Sequence, residues 1–210
     1  MPIRDLFRGV SGLFRGGYLD PLEDEIKGYF GSRFVFLVSS GKGALVLILR
    51  ALSSLRNRRK VVIPAYTCYS VPSAIVKAGL DIALCDVDPD TLDFDYGRLE
   101  AIVDEKTLCV VPTHLFGIPS DIDRVRRTCE GKGIFIVEDA AQAMGGGSAE
   151  RKLGALGDVG FFSLGRGKNI SCGSGGIILT SSPEIAERIR VFHRELGREP
   201  AGAILKNLAG

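Results

Sequence analysis

The chain has 210 residues, 45% of them hydrophobic and 25% charged, which suits one globular domain with a sizeable core and argues against extended disorder. Lysine and arginine number 27 against 25 acids, and the formal charge of +2 is spread along the sequence without a basic block, so nucleic acid is not the expected partner. No apolar run approaches the ~20 residues that cross a bilayer; the five cysteines (Cys68, Cys85, Cys109, Cys129, Cys172) form no CxxC pair and His114 and His193 lie far apart, so neither a metal site nor a disulfide framework is indicated.

Residues 1–19 come first. Ile3, Leu6, Phe7, Val10, Leu13 and Phe14 recur at helical spacing, with Arg4, Asp5, Arg8 and Arg15 between them. This predicts an amphipathic arm packed on its own domain or on a partner subunit, with a place on a membrane surface as the alternative. After Gly16-Gly17, short apolar runs alternate with helix-compatible segments. Strands are predicted at Phe34 to Val38, Val61 to Pro64, Ile82 to Asp86, Leu108 to Thr113, Gly133 to Glu138, Gly160 to Ser163 and Ile177 to Thr180. Helices are predicted at Ala44 to Leu55, Val71 to Ala78, Tyr96 to Val103, Asp121 to Cys129 and Pro183 to Val191. The alternation predicts an α/β fold: a mostly parallel sheet of about seven strands with helices on both faces.

In such sheets ligands sit beyond the carboxyl ends of the strands, so the loops there carry the chemistry. Ser39-Ser40-Gly41-Lys42-Gly43 joins an apolar strand to an apolar helix, and its backbone amides suit an anion such as phosphate; a plain strand-to-helix turn is the alternative. Phe36 and Phe162 stand where a P-loop before Lys42 or Lys168 needs its first glycine, and no dinucleotide glycine fingerprint follows a strand. Asp139 follows the apolar run Ile134-Phe135-Ile136-Val137, where a buried carboxylate calls for a cationic partner such as a protonated ring nitrogen; a helix N-cap is the alternative. Ser163 and Lys168 lie five residues apart on a glycine-broken loop, framing a lysine with residues too small to solvate it. Such an amine can attack a carbonyl, whereas a solvated surface lysine is the ordinary alternative.

Six blocks, in order and in spacing, resemble the DegT/StrS family of pyridoxal-phosphate (PLP) dependent aminotransferases. They are Ser40-Gly41-Lys42-Gly43-Ala44-Leu45, Val62-Ile63-Pro64-Ala65-Tyr66-Thr67, Cys85-Asp86-Val87-Asp88-Pro89-Asp90-Thr91-Leu92, His114-Leu115-Phe116-Gly117-Ile118-Pro119, Val137-Glu138-Asp139-Ala140-Ala141-Gln142-Ala143, and Gly157 to Ser163 leading to Lys168-Asn169. The resemblance implies the large domain of the type I aminotransferase fold over residues 20–195. The arm (1–19) precedes that domain, a tail (196–210) follows it, and the family's smaller C-terminal domain is absent from this sequence.

It further implies that Lys168 binds pyridoxal 5'-phosphate as a Schiff base and shuttles the proton, and that Asp139 pairs with the pyridinium nitrogen. Gln142 would stand beside the phenolic oxygen, while Ser163 and the amides of Gly41 and Lys42 would hold the phosphate. Lys42 replaces the family's threonine. Cys68 occupies the position of the aromatic residue that stacks on the ring, so Tyr66 or Tyr69 would serve instead. A lysine at 168, where a dehydratase branch has histidine, favours amino transfer.

The activity implied is transfer of an amino group from a donor such as glutamate to a keto group of a nucleotide-linked sugar, by a homodimer with shared active sites; the odd number of scattered cysteines and the lack of a secretory signal separately suit a reducing cytoplasm. The alternative is a cofactor-binding or regulatory protein without turnover.

Overall fold

Seven apolar runs form strands: β1 (Phe34–Val38), β2 (Lys60–Pro64), β3 (Asp81–Cys85), β4 (Thr107–Val110), β5 (Phe135–Asp139), β6 (Val159–Ser163) and β7 (Gly176–Thr180). The computed structural model describes residues 19–147 and 150–197. The expected arm, apart from Leu19, lies outside the described residues, as does the tail from 198 onward. The helices are α1 (Leu19–Phe30), α2 (Gly41–Leu55), α3 (Ser70–Lys77), α4 (Tyr96–Ile102), α5 (Ile122–Cys129) and α6 (Pro183–Arg194).

The strands make one sheet in the order β1-β7-β6-β5-β4-β2-β3. All pairings are parallel except those of β7, which runs against both of its neighbours. Helices α2, α3 and α6 cover one face over Val61, Ile63, Leu108, Val111, Val137, Phe161 and Ile178. Helices α4 and α5 cover the other over Val62, Val110 and Ile136. Because strand side chains alternate between faces, odd positions on β5 look toward α2 and even ones toward α5.

Local chemistry sets the ends of these elements. Ser40 caps α2, its Oγ accepting the Gly43 amide at 3.0 Å, and this starts the helix at Gly41 rather than at Ala44. Asp95, Asp121 and Ser182 cap α4, α5 and α6 in the same way. The run Arg58-Arg59-Lys60 is absorbed at the amino ends of the strands. Arg58 donates to the carbonyls of Thr107 and Lys132, Arg59 pairs with Asp81, and Lys60 pairs with Asp104.

The differences from the expected boundaries have physical causes. Strand β4 stops at Val110, and only an isolated parallel bridge, Thr113 to Asp139, continues it, because Pro112 has no amide to give to the ladder. Strand β5 begins at Phe135 because Gly133 turns with a positive φ of 62°, and it runs on to include Asp139. Helix α1, absent from the expected elements, buries Ile26 and Phe30 and packs against β1.

Candidate active site

The site lies where the connections diverge. From β2 the chain crosses to β3 on one side, while β4 and β5 continue on the other, which opens a crevice at the carboxyl ends of β2, β4 and β5. The loops after β2 and β4, the end of β5 and the loop after β6 meet there. Thr113, Asp139 and Ser163 all fall on the α2 side of the sheet, by parity with Val111, Val137 and Phe161.

Gly41 and Ser163 are pressed together. A Cβ added at Gly41 would stand 2.7 Å from the Ser163 Cβ and 3.1 Å from its Oγ, so only glycine lets the first turn of α2 come this close. The first amides of a helix have no partner within it and carry partial positive charge. Here they are brought beside a hydroxyl, and an anionic group fits that donor set. The Lys42 ammonium is turned to Ser73, donating to its Oγ at 2.6 Å, and stands 5.9 Å from the centre of the Tyr69 ring.

Asp139, the last residue of β5, is only 4% exposed. Its Oδ1 accepts the Ala141 amide at 3.0 Å, and among the described residues no lysine or arginine forms an ion pair with it. Burial raises its carboxyl above the ordinary range, while the Ala141 amide, the charge of Lys168 and, when protonated, that of His114 act in the opposite sense. The N-cap alternative fails, because residues 140–146 form turns and no helix starts at Asp139. Lys168 is half-buried on the loop between β6 and β7, its amide donating to the Gly165 carbonyl at 3.2 Å. A buried acid under the influence of a nearby amine suits a ligand that brings its own cation to the acid and a carbonyl to the amine.

The remaining predicted residues divide. Gln142 Oε1 accepts the Phe116 amide at 3.1 Å, tying the end of β5 to the loop after β4. Tyr66 and Tyr69 are exposed, and Cys68 accepts a hydrogen bond from the Ser70 hydroxyl at 3.1 Å. Gly41 thus meets Ser163, the Lys42 ammonium stands near the Tyr69 ring, Lys168 sits on the loop after β6, and Tyr66 faces solvent. Among the described residues two buried hydroxyls, Thr67 and Thr113, have no hydrogen-bond partner, and they border the same loops. Among the described residues no group of three or more His, Cys, Asp or Glu could hold a metal ion.

Sequence reasoning assigned no role to His114 or Glu138, both fully buried. His114 Nε2 lies 2.9 Å from Glu138 Oε2, which also accepts the Gly154 amide at 2.9 Å, while Oε1 accepts the amides of Leu156 and Gly157. The Ser120 amide donates to His114 Nδ1 at 3.0 Å, so Nδ1 is bare and Nε2 carries the proton that Glu138 accepts. The available signal was the pair of consecutive acids closing an apolar strand: alternation sends one to each face of the sheet.

The chain matches the profile of the DegT/DnrJ/EryC1/StrS aminotransferase family over residues 6–204. It is 34% identical over 185 residues to dTDP-3-amino-3,4,6-trideoxy-alpha-D-glucose transaminase of Streptomyces venezuelae, covering 88% of this chain and 48% of that protein. It is 31% identical over 201 residues to a pleiotropic regulatory protein of Geobacillus stearothermophilus, covering 95% and 54% respectively. Among solved structures, DesI in the presence of its TDP-sugar product superposes with a TM-score of 0.83 at 29% identity, over 92% of this chain and 50% of that one. GDP-4-keto-6-deoxymannose-3-dehydratase with a trapped PLP-glutamate geminal diamine superposes with a TM-score of 0.81 at 25% identity, over 92% and 54%. The chain spans about half the length of the curated relatives it matches. No helix among the described residues is long and apolar enough to cross a membrane.

Proposed function

Because the chain belongs to the DegT/DnrJ/EryC1/StrS aminotransferase family, we propose that it binds pyridoxal 5'-phosphate and moves an amino group from a donor such as glutamate to a keto group of a nucleotide-linked sugar. The observation that carries this reading is Asp139: a buried carboxylate at the carboxyl edge of the sheet, on the same face as Ser163 and without a lysine or arginine in ion-pair contact among the described residues. The names of the Streptomyces transaminase and of the dehydratase holding PLP and glutamate support the cofactor, the donor and the substrate class.

When bound, pyridoxal phosphate supplies an electron sink next to the carbon that gains or loses the amine. The residues of this chain do the rest. Lys168 Nζ attaches the cofactor and is the base that moves the proton. Asp139 would hold the proton on the ring nitrogen and gain there a counter-charge for its buried carboxylate. The Ser163 hydroxyl and the amides of Gly41 and Lys42 hold the phosphate. Because Gln142 Oε1 is taken by the Phe116 amide, its NH2 group is turned to the other side, the donor that a phenolic oxygen needs. Tyr66, Cys68 or Tyr69 covers the face of the ring.

In this reading residues 20–195 are the cofactor-binding domain, the arm over 1–19 and the tail over 196–210 flank it, and two copies share their active sites in the cytoplasm. Adding pyridoxal phosphate to the full chain should give a yellow complex that borohydride fixes to one peptide. Label on Lys168 is the expected result, and label on any other residue overturns the assignment. The regulatory name of the Geobacillus relative favours a second reading, cofactor binding without turnover. Excess glutamate separates the two: conversion of the bound cofactor to its pyridoxamine form supports transfer, and an unchanged spectrum supports the scaffold.

A further inference from the structure

We propose that His114 is a positioning residue of this site, which presents the Asp139 carboxylate and the Gln142 amide together by pinning the exits of β4 and β5 to Glu138. Three sets of contacts carry the inference. The His114 ring is held at both nitrogens, Nε2–H by Glu138 at 2.9 Å and Nδ1 by the Ser120 amide at 3.0 Å. Its backbone amide donates to the Asp139 carbonyl at 3.0 Å, while the Asp139 amide donates to the Pro112 carbonyl at 2.9 Å, which fixes the register of the two exits. Its own carbonyl accepts the Gly117 amide at 3.2 Å, closing the turn in which Phe116 takes a φ of 55° and donates its amide to Gln142.

A non-glycine residue with positive φ persists only where its surroundings over-determine it. The buried ring of His114 is the rigid end of that turn. Glu138 is the other anchor. With four donors on its two oxygens it is locked toward α5, and the alternation of the strand then sends Asp139 to the opposite face. His114 touches neither the proposed ligand nor its reacting atoms; it acts through Asp139 and Gln142, the way a buried network orients the groups that do chemistry.

The inference rests on the reading that Asp139 meets the cofactor, and the test separates the two. If the unmodified chain takes up no pyridoxal phosphate, that reading falls. If it does, the full chain is compared with His114→Gln, whose side-chain N–H reaches toward Glu138, and with His114→Asn, which keeps an acceptor for the Ser120 amide but is too short to reach Glu138. Cofactor Kd and the absorbance maximum of the bound form are read beside Tm, with Val125→Ala in the same α5-side core as a control for lost packing.

The expected result is that His114→Gln stays within about threefold of the unmodified Kd, whereas His114→Asn binds roughly tenfold more weakly with a displaced absorbance maximum. That ratio corresponds to one buried hydrogen bond to a charged group. Val125→Ala, at equal loss of Tm, should keep both readouts. Equal Kd and equal spectra for the three variants overturn the positioning role. Should the histidine variants not fold, nitrogen-15 spectra of the unmodified protein decide: a proton on Nδ1 of His114 overturns the inference, and one on Nε2 in both the free and the loaded form supports it.

Discussion

Glu138 and Asp139 are consecutive carboxylates, both buried at the end of β5, and their surroundings are opposite. Toward α5, Glu138 receives the amides of Gly154, Leu156 and Gly157 and the Nε2–H of His114. Toward α2, Asp139 receives the Ala141 amide and has its carboxyl raised by burial. A buried charge is tolerable when its lone pairs are filled and costly when they are not. The first acid therefore belongs to the fold. The second is held at a cost to the fold, as expected of a group reserved for an external cation.

The comparison breaks most severely if Glu138 is removed. Glu138→Leu leaves three backbone amides and the histidine N–H without their acceptor, two of these donors being buried, and should destabilise the chain by about 3–5 kcal/mol in urea titration. A loss below about 1 kcal/mol would mean that water replaces the carboxylate, and the contrast between the two acids would then vanish. A smaller effect is expected from filling the open face. Gly41→Ala places a methyl 2.7 Å from the Ser163 Cβ, and overpacking of that kind costs about 1–3 kcal/mol. Because the clash also moves the first turn of α2 away from Ser163, cofactor Kd should rise along with the loss of stability.

Much of the frame was legible because apolar runs alternate with segments of helical spacing, but the helix starts were less so: the expected starts at Ala44 and Asp121 fall at Gly41 and Ile122. Ser40, Asp95, Asp121 and Ser182 all act as caps. Helix α1 was not legible: Gly28 in its interior weakens its local signal, and what fixes it is tertiary, the burial of Ile26 and Phe30 against the sheet. Asp139 could be singled out from the apolar run before it. Its alternative reading as a cap was open only because the sequence does not show that residues 140–146 turn without forming a helix. The partnership of His114 with Glu138 spans 24 positions and two strands, so no local pattern announces it. The glycine at 41 was readable as a turn, but not as the contact that seats Ser163.

The mildest change sharpens the comparison most, because its sign is the reverse of the others. Asp139→Asn removes a charge that burial disfavours while leaving an oxygen for the Ala141 amide, so the cofactor-free chain should gain about 0.5–2 kcal/mol. The pH dependence follows from the direction of the shift. A carboxyl whose folded value lies above its unfolded one binds more protons in the folded state between the two, so the cofactor-free protein loses stability as pH rises from the ordinary value of 3.8 through the raised one. Above that window the loss is constant. Asp139→Asn should lack this component, so the difference in Tm between the two proteins should open as pH climbs through the window and then stay level. Loading with pyridoxal phosphate should invert the ranking, since the ring nitrogen supplies the counter-charge to the aspartate and cannot do so to the amide. If Asp139→Asn is less stable than the unmodified chain without cofactor at neutral pH, then the carboxylate is already satisfied by the protein, and the two faces of β5 do not differ in the way argued.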